Sequence, residues 1–198
     1  MKLFSYGVVL TGSIATGKSS IASFLKKDGF VLIDADKVAH TILDEQKNKI
    51  IELFGSSIVE DEKIDRKLLG AMVFNNTFKR KQLEDILHPL IFEKIAYEGE
   101  LNDRLKKLYF LDIPLFFENK NYDISKSLIV YTPLTQQLLR LMKRNNYSQE
   151  EAQKRIDTQI SIEEKVKRAT YIIDNSATLI ELKKAYQKVI VQIEKDFR

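Results

Sequence analysis

The stretch Val8 to Ser20, VVLTGSIATGKSS, has the residue types and spacing to hold phosphate. Gly12, Gly17, Lys18 and Ser19 fit G-x-x-x-x-G-K-[ST], the phosphate-binding P-loop. Glycines let the main chain turn tightly, so that backbone N–H groups converge on phosphate oxygens. Lys18 is then placed to reach the β- and γ-phosphates, and the Ser19 hydroxyl to ligate Mg²⁺. An apolar run, Tyr6 to Leu10, reads as a buried strand entering the loop. Ser20 to Leu25 reads as a helix leaving it, and a helix N-terminus favours anions. The motif by itself says that a nucleoside triphosphate binds and leaves the purpose open.

Carboxylates stand where such a phosphate could use them. A second strand candidate ends in Ile33-Asp34-Ala35-Asp36. In open parallel sheets, ligands sit beyond the carboxyl ends of the strands. Phosphoryl transfer to an alcohol needs a group that orients the hydroxyl and accepts its proton, and Asp36 or Asp34 can do this. The alternative role is capping the helix that begins at Lys37-Val38-Ala39. A third strand candidate ends in Phe110-Leu111-Asp112-Ile113-Pro114, with Glu118 further out. An Asp after an apolar run can organise Mg²⁺, and the competing reading is a strand-end turn set by Pro114.

Arginines supply the third element. Leu134 to Arg144 reads as a helix with Arg140 and Arg144 one turn apart on one face. A second helix, expected over Ser148 to Ile162, opens with the capping-box pattern Ser148-x-x-Glu151 and carries Arg155 and Gln159 four residues apart. Joined by Asn145-Asn146-Tyr147, the two helices read as a hinged lid that brings guanidiniums onto a transferred phosphate and expels water. A last strand ends in Ile173-Asp174-Asn175, where Asn175 either bonds a nucleotide base or caps the final helix.

These residues need a frame. Strand candidates Phe4–Leu10, Phe30–Ile33, Leu108–Ile113, Ser127–Tyr131 and Tyr171–Ile173 alternate with longer helical patterns. That alternation predicts an α/β fold with a parallel sheet covered by helices on both faces. The strands are short continuous apolar runs, as burial on two sides requires. From about residue 36 to residue 107 the pattern looks wholly helical, far beyond the dozen or so residues that a crossover needs. The excess predicts an inserted helical subdomain. Its strongest signal is Phe78 to Tyr97, in which Pro89 is expected to end or kink the helix near His88. The patch Glu60 to Lys67 reads as a loop and a helix start.

Composition narrows the class. The chain has 198 residues, 44% hydrophobic and 30% charged, enough for one domain with a sizeable core. There is no cysteine, which excludes disulfides, thiolate catalysis and Cys metal sites. The net charge of +4 comes from scattered lysines, a solvated surface or a weak field for polyanionic nucleotides. No basic stripe interleaved with aromatics marks a nucleic-acid binder. The start, MKLFSYGVVLTGS, reads as strand one and not as a signal peptide, and no run approaches a membrane span. A cytoplasmic location follows by default. No apolar stripe is left over that demands a partner, so a monomer is expected.

Together the motifs resemble the dephospho-CoA kinase family. The resemblance rests on Thr11 to Ser19, Ile33-Asp34-Ala35-Asp36, Ile64-Asp65-Arg66-Lys67-Leu68-Leu69-Gly70 and Leu83-Glu84-Asp85-Ile86-Leu87-His88-Pro89. It continues through Asp112-Ile113-Pro114-Leu115-Phe116-Phe117-Glu118, Gln137-Leu138-Leu139-Arg140, Arg155 to Gln159 and Asp174-Asn175, nearly the whole chain in order. It implies ATP-dependent phosphorylation of the 3′-hydroxyl of the dephospho-CoA ribose, giving coenzyme A and ADP. It also implies a P-loop three-layer α/β/α fold with a five-stranded parallel sheet, a helical substrate-binding insertion and a helical lid. The core is expected over about 1–36, 107–134 and 166–198, the CoA-binding insertion over about 37–106 and the lid over about 135–165.

By position, Asp36 resembles the family's catalytic base. Gly12 and Ala15, Thr16, Gly17, Lys18, Ser19 and Ser20 would wrap the ATP phosphates. Arg144 and Arg155 resemble lid residues, with Arg140 competing for the same role. Arg66 and His88 fall in the CoA-binding part, where each either contacts substrate or shapes the site. Many members carry Gly where this chain has Ser13 and Ala15, and Thr where it has Ser20. Another small-molecule or nucleoside-monophosphate kinase is the rival enzyme, though a long acceptor insert suits a large substrate. An NTP-gated binding module would need the guanine-reading Asn-Lys-x-Asp, which the sequence lacks.

Overall fold

The computed structural model describes residues 3–74, 76–119 and 122–198, so the first two residues of the expected core lie outside it. The chain divides into two compact units, residues 1–33 with 98–198, and residues 34–97.

The first unit is built on five short strands: β1 (Gly7–Gly12), β2 (Val31–Asp34), β5 (Tyr109–Asp112), β6 (Ser127–Tyr131) and β7 (Tyr171–Asp174). They lie in the order β2-β5-β1-β6-β7 in one parallel sheet. β1 pairs in parallel with β5 (Val8 opposite Phe110) and with β6 (Leu10 opposite Leu128), and β6 with β7. Every residue of β1 and β5 is buried, as two covered faces demand. Val8, Leu10, Phe110, Leu128 and Ile173 share a core with Ile21 and Leu25 of α1 (Lys18–Lys27) and with Leu182, Tyr186 and Ile190 of α9 (Leu179–Asp196).

The first strand begins later than the expected Phe4. The Asp103 carboxylate accepts hydrogen bonds from the main-chain N–H groups of Ser5 and Tyr6, and Gly7 N–H closes a turn onto Phe4 O. Gly99 makes room here, since a Cβ on it would meet the Phe4 ring at 2.9 Å.

The second unit holds α2 (Ala35–Glu45), α3 (Lys47–Phe54), α4 (Arg66–Phe74) and the first part of α5 (Thr77–Arg104). Leu43, Ile50, Phe54, Ile58, Ile64 and Leu69 form its own core. It is not wholly helical: β3 (Val59–Glu60) and β4 (Lys63–Ile64) form an antiparallel hairpin where a loop is expected. Asp61 and Glu62 turn it with φ of 47° and 62°. Pro89 does not end α5, which runs through it from Thr77 to Arg104. Pro89 and Asp85, whose carbonyl loses its helical donor, are both exposed residues.

The two helices read as a lid are α6 (Leu134–Asn145) and α7 (Gln149–Ile156). Asn146, at φ 54°, closes α6, and the capping box of Ser148 and Glu151 opens α7. The single helix expected to run to Ile162 is broken: α7 stops at Ile156, and α8 (Ile162–Arg168) starts anew under a Ser161 cap. Arg155 and Gln159 therefore do not share a helix face. Among the described residues no helix is long and apolar enough to cross a membrane.

Candidate active site

The site grows from the turn between β1 and α1. Gly17 precedes α1 with φ 90°, and Ala15 adopts φ 61°, a left-handed setting that favours glycine. A Cβ on Gly17 would lie 2.1 Å from Asn175 Nδ2, and one on Gly12 would lie 2.6 Å from Thr16 Oγ1. Both glycines are thus required by close approach as well as by the motif. No side chain caps α1, and its first turn carries no acidic residue. Its positive dipole end is left to an anion.

Two side chains brace the loop from behind, and a third hydrogen bond closes within it. Asn175 Nδ2 donates to Thr16 O at 2.8 Å, and Thr132 Oγ1 donates to the same carbonyl at 3.1 Å. Thr16 Oγ1 donates to Ser13 O at 2.9 Å. Arg140 donates to Asn175 O at 2.8 Å and to Thr132 Oγ1 at 3.2 Å, so the half-buried guanidinium braces the brace. Asn175 does not cap the last helix; Thr178 does, in a capping box with Glu181.

Lys18 forms an ion pair with Asp112, at the carboxyl end of neighbouring β5. The sequence places a phosphate cation and a metal carboxylate in two distant motifs, and the fold makes them partners. Asp112 is buried, while Ser19 on the first turn of α1 is exposed. A hydroxyl and a carboxylate are hard oxygen donors, the set that Mg²⁺ takes when phosphates and water fill its remaining positions. Among the described residues no group of three or more His, Cys, Asp or Glu is poised to hold a metal, and a phosphate-borne Mg²⁺ needs none.

Helices α6 and α7 touch the loop. Leu141, Ala152 and Ile156 form a small core, and Ile14 and Ala15 of the P-loop pack on it beside Leu138, Met142 and Tyr147. Arg144 and Arg155 are exposed: Arg144 Nε donates to Asn145 Oδ1 at 2.9 Å, and the Arg155 guanidinium stands 5.9 Å from the Tyr147 ring centroid.

The remaining expected residues belong to the second unit. Asp34 caps α2, its carboxylate accepting from Lys37 N–H at 3.0 Å. Asp36 is exposed in the first turn of the same helix. Arg66 pairs with Asp44 at 3.1 Å, and both line a cleft of about 620 Å³ with Glu60, Lys63, Asp65 and Lys67. The Asp65 carboxyl is held below its ordinary value by the backbone N–H groups of Leu68 and Lys67. His88 is exposed on α5.

A P-loop at the first strand–helix junction of a parallel α/β sheet, with a strand-end carboxylate beside its lysine, defines a P-loop nucleotide-binding protein. The dephospho-CoA kinase family model matches residues 6–181. The dephospho-CoA kinase of Sulfurimonas denitrificans is 42% identical over 191 residues, 96% of each chain. Among solved structures, a Thermus thermophilus protein described as TT1252 superposes with a TM-score of 0.80 at 32% identity, over 94% of this chain and 96% of that one. The dephospho-CoA kinase from Campylobacter jejuni gives 0.71 at 38% identity, over 95% and 97%. The chain belongs to the dephospho-CoA kinase family.

Proposed function

We propose that the protein transfers the γ-phosphoryl group of ATP to the 3′-hydroxyl of the ribose of dephospho-CoA, giving coenzyme A and ADP. Family membership supports the reaction, and the Lys18–Asp112 pair at the mouth of the P-loop is the observation that carries it.

The main-chain amides of Ala15 to Ser20 cradle the ATP phosphates, with Gly12 and Gly17 permitting the approach. Lys18 exchanges Asp112 for the β- and γ-phosphates, an exchange of one anionic partner for another that costs little. Ser19 and Asp112 are the residues to hold Mg²⁺, which when bound neutralises charge between the phosphates. Asp36 takes the proton from the acceptor hydroxyl; Asp34 is committed to the helix cap. Arg144 and Arg155 meet the transferred phosphate from the lid, while Arg140 sets the Thr132–Asn175 brace from which nucleotide contacts are made. Arg66 and His88 face the CoA moiety. The protein works as a cytoplasmic monomer with no nucleic-acid or membrane partner.

A coupled ADP-release assay tests the reading, with dephospho-CoA, AMP, adenosine and shikimate as competing acceptors. Turnover that depends on dephospho-CoA supports it. Equal or faster turnover with AMP or shikimate overturns it.

A further inference from the structure

The chain that returns from the lid carries a lysine that the chemistry above does not use. Lys165, in α8, is completely buried. Its ammonium lies 2.7 Å from Glu118 Oε1 and donates to the main-chain carbonyl of Gly12, the first P-loop residue, at 3.3 Å. Glu118 Oε1 also accepts from the main-chain N–H of Ile160, at 3.1 Å. One residue earlier, Gln159 Oε1 accepts from Ile14 N–H at 3.0 Å. The turn between α7 and α8 is therefore tied to both the start and the middle of the P-loop.

A buried ammonium is costly unless it is paired and bonded. This one is satisfied only by spanning three segments: the phosphate loop, the stretch after β5 and the lid return. An apolar side chain could fill the same volume. What it could not do is link Gly12 O to the carboxylate that also accepts from Ile160 N–H.

We propose that Lys165 is a positioning residue for the phosphates of ATP: with Glu118 it fixes the entry of the P-loop relative to the lid return, so that nucleotide binding and lid placement are set together. The proposal rests on the ATP reading above. It predicts a defect on the nucleotide side alone, because the contacts of the strut are with the P-loop and the α7–α8 return.

The test compares the parent with Lys165→Met and with the charge-neutral double variant Glu118→Gln/Lys165→Met. The double variant leaves no buried unpaired charge, so its melting temperature should return close to that of the parent. Its Kd for ATP by calorimetry and its KM for ATP should still rise about tenfold, the usual worth of a hydrogen bond to a charged group. The KM for dephospho-CoA should stay within about twofold of the parent. A double variant with parental melting and parental ATP affinity overturns the proposal and leaves Lys165 a packing residue. If the double variant fails to fold, hydrogen exchange on the parent decides. On adding a non-hydrolysable ATP analogue, the Ile160 amide should slow together with the P-loop amides; slowing confined to residues 12–19 overturns the proposal. A parent that binds no ATP at all defeats the ATP reading itself, a result distinct from either.

Discussion

Asn175 Nδ2 donates to the main-chain carbonyl of Thr16 across 2.8 Å, joining the last strand of the sheet to the middle of the P-loop. That amide occupies the space a Cβ on Gly17 would need. The loop is thus held from the sheet side by a side chain. Gly17→Ala should lower the melting temperature and abolish measurable ATP binding. Adding Asn175→Ala removes the collision but not the left-handed backbone of Gly17, worth about 1–2 kcal/mol. The double variant should therefore melt about 2–8 °C below Asn175→Ala alone. Equal melting of the two would show that strain at Gly17 is unimportant.

Asp36 and Asp34 separate by role. Asp36→Asn should lower kcat by about 10²–10⁴-fold with ATP affinity unchanged, since the role proposed for it is on the acceptor. Asp34→Ala should instead cost about 0.5–2 kcal/mol of stability through the lost α2 cap, read from thermal melts. Full activity in Asp36→Asn would remove it as the base.

Lys18→Ala should weaken ATP binding and lower kcat together, because the proposed contact is with the phosphates in both ground and transition states. It also leaves the buried Asp112 carboxylate without its ammonium, so the nucleotide-free protein should melt lower than the parent. Isothermal calorimetry and melts without nucleotide check the two effects separately. An unchanged melting temperature would mean that the Lys18–Asp112 pair contributes nothing to the resting fold.

Two capping boxes set an acid limit. The Glu151 carboxyl is held below the ordinary 4.5 first by the Ser148 backbone N–H, and Glu181 is lowered likewise by Thr178. Both accept their N-cap amide, at 2.8 and 3.0 Å. A lowered folded-state pKa means that the unfolded chain binds the proton more tightly. The stabilisation is then complete above about pH 5 and disappears as pH falls through the lowered values. Melts from pH 7 to pH 3 should show Glu181→Ala below the parent at neutral pH and converging with it in acid. A gap that stays constant would contradict the assignment.

Much of this architecture is legible in residue pattern. Four of the five strands fall within a residue or two of their apolar runs; β5 and β6 are covered on both faces, which leaves an uninterrupted signal, and the edge strands β2 and β7 are apolar although partly exposed. The Ser148–Glu151 box marks the start of α7 correctly, since capping is local. What the pattern hides is non-local. Phe4 to Tyr6 read as strand, yet they turn, because Asp103 binds their amides from α5. The hairpin at residues 59–64 has two-residue strands and turns on Asp61-Glu62 without glycine or asparagine, so no turn signal announces it. Lys165 sits among Glu163, Glu164, Lys167 and Arg168, where charge suggests a solvated helix; its burial depends on Glu118, distant in sequence. Gln159 is similar: it reads as a helix-face residue and proves to be a P-loop contact after the helix has ended. A Ser at position 161, three residues before Glu164, is the local cue for that break.

The most direct measurement follows the phosphate itself. The purified chain is incubated with ATP, Mg²⁺ and dephospho-CoA, and the products are resolved by mass spectrometry and phosphorus NMR. The account predicts one ADP for each coenzyme A, with the new phosphate on the 3′-oxygen of the ribose, and no product from Lys18→Ala. ADP formed at the same rate without dephospho-CoA, or a phosphate placed on any other oxygen, would contradict it.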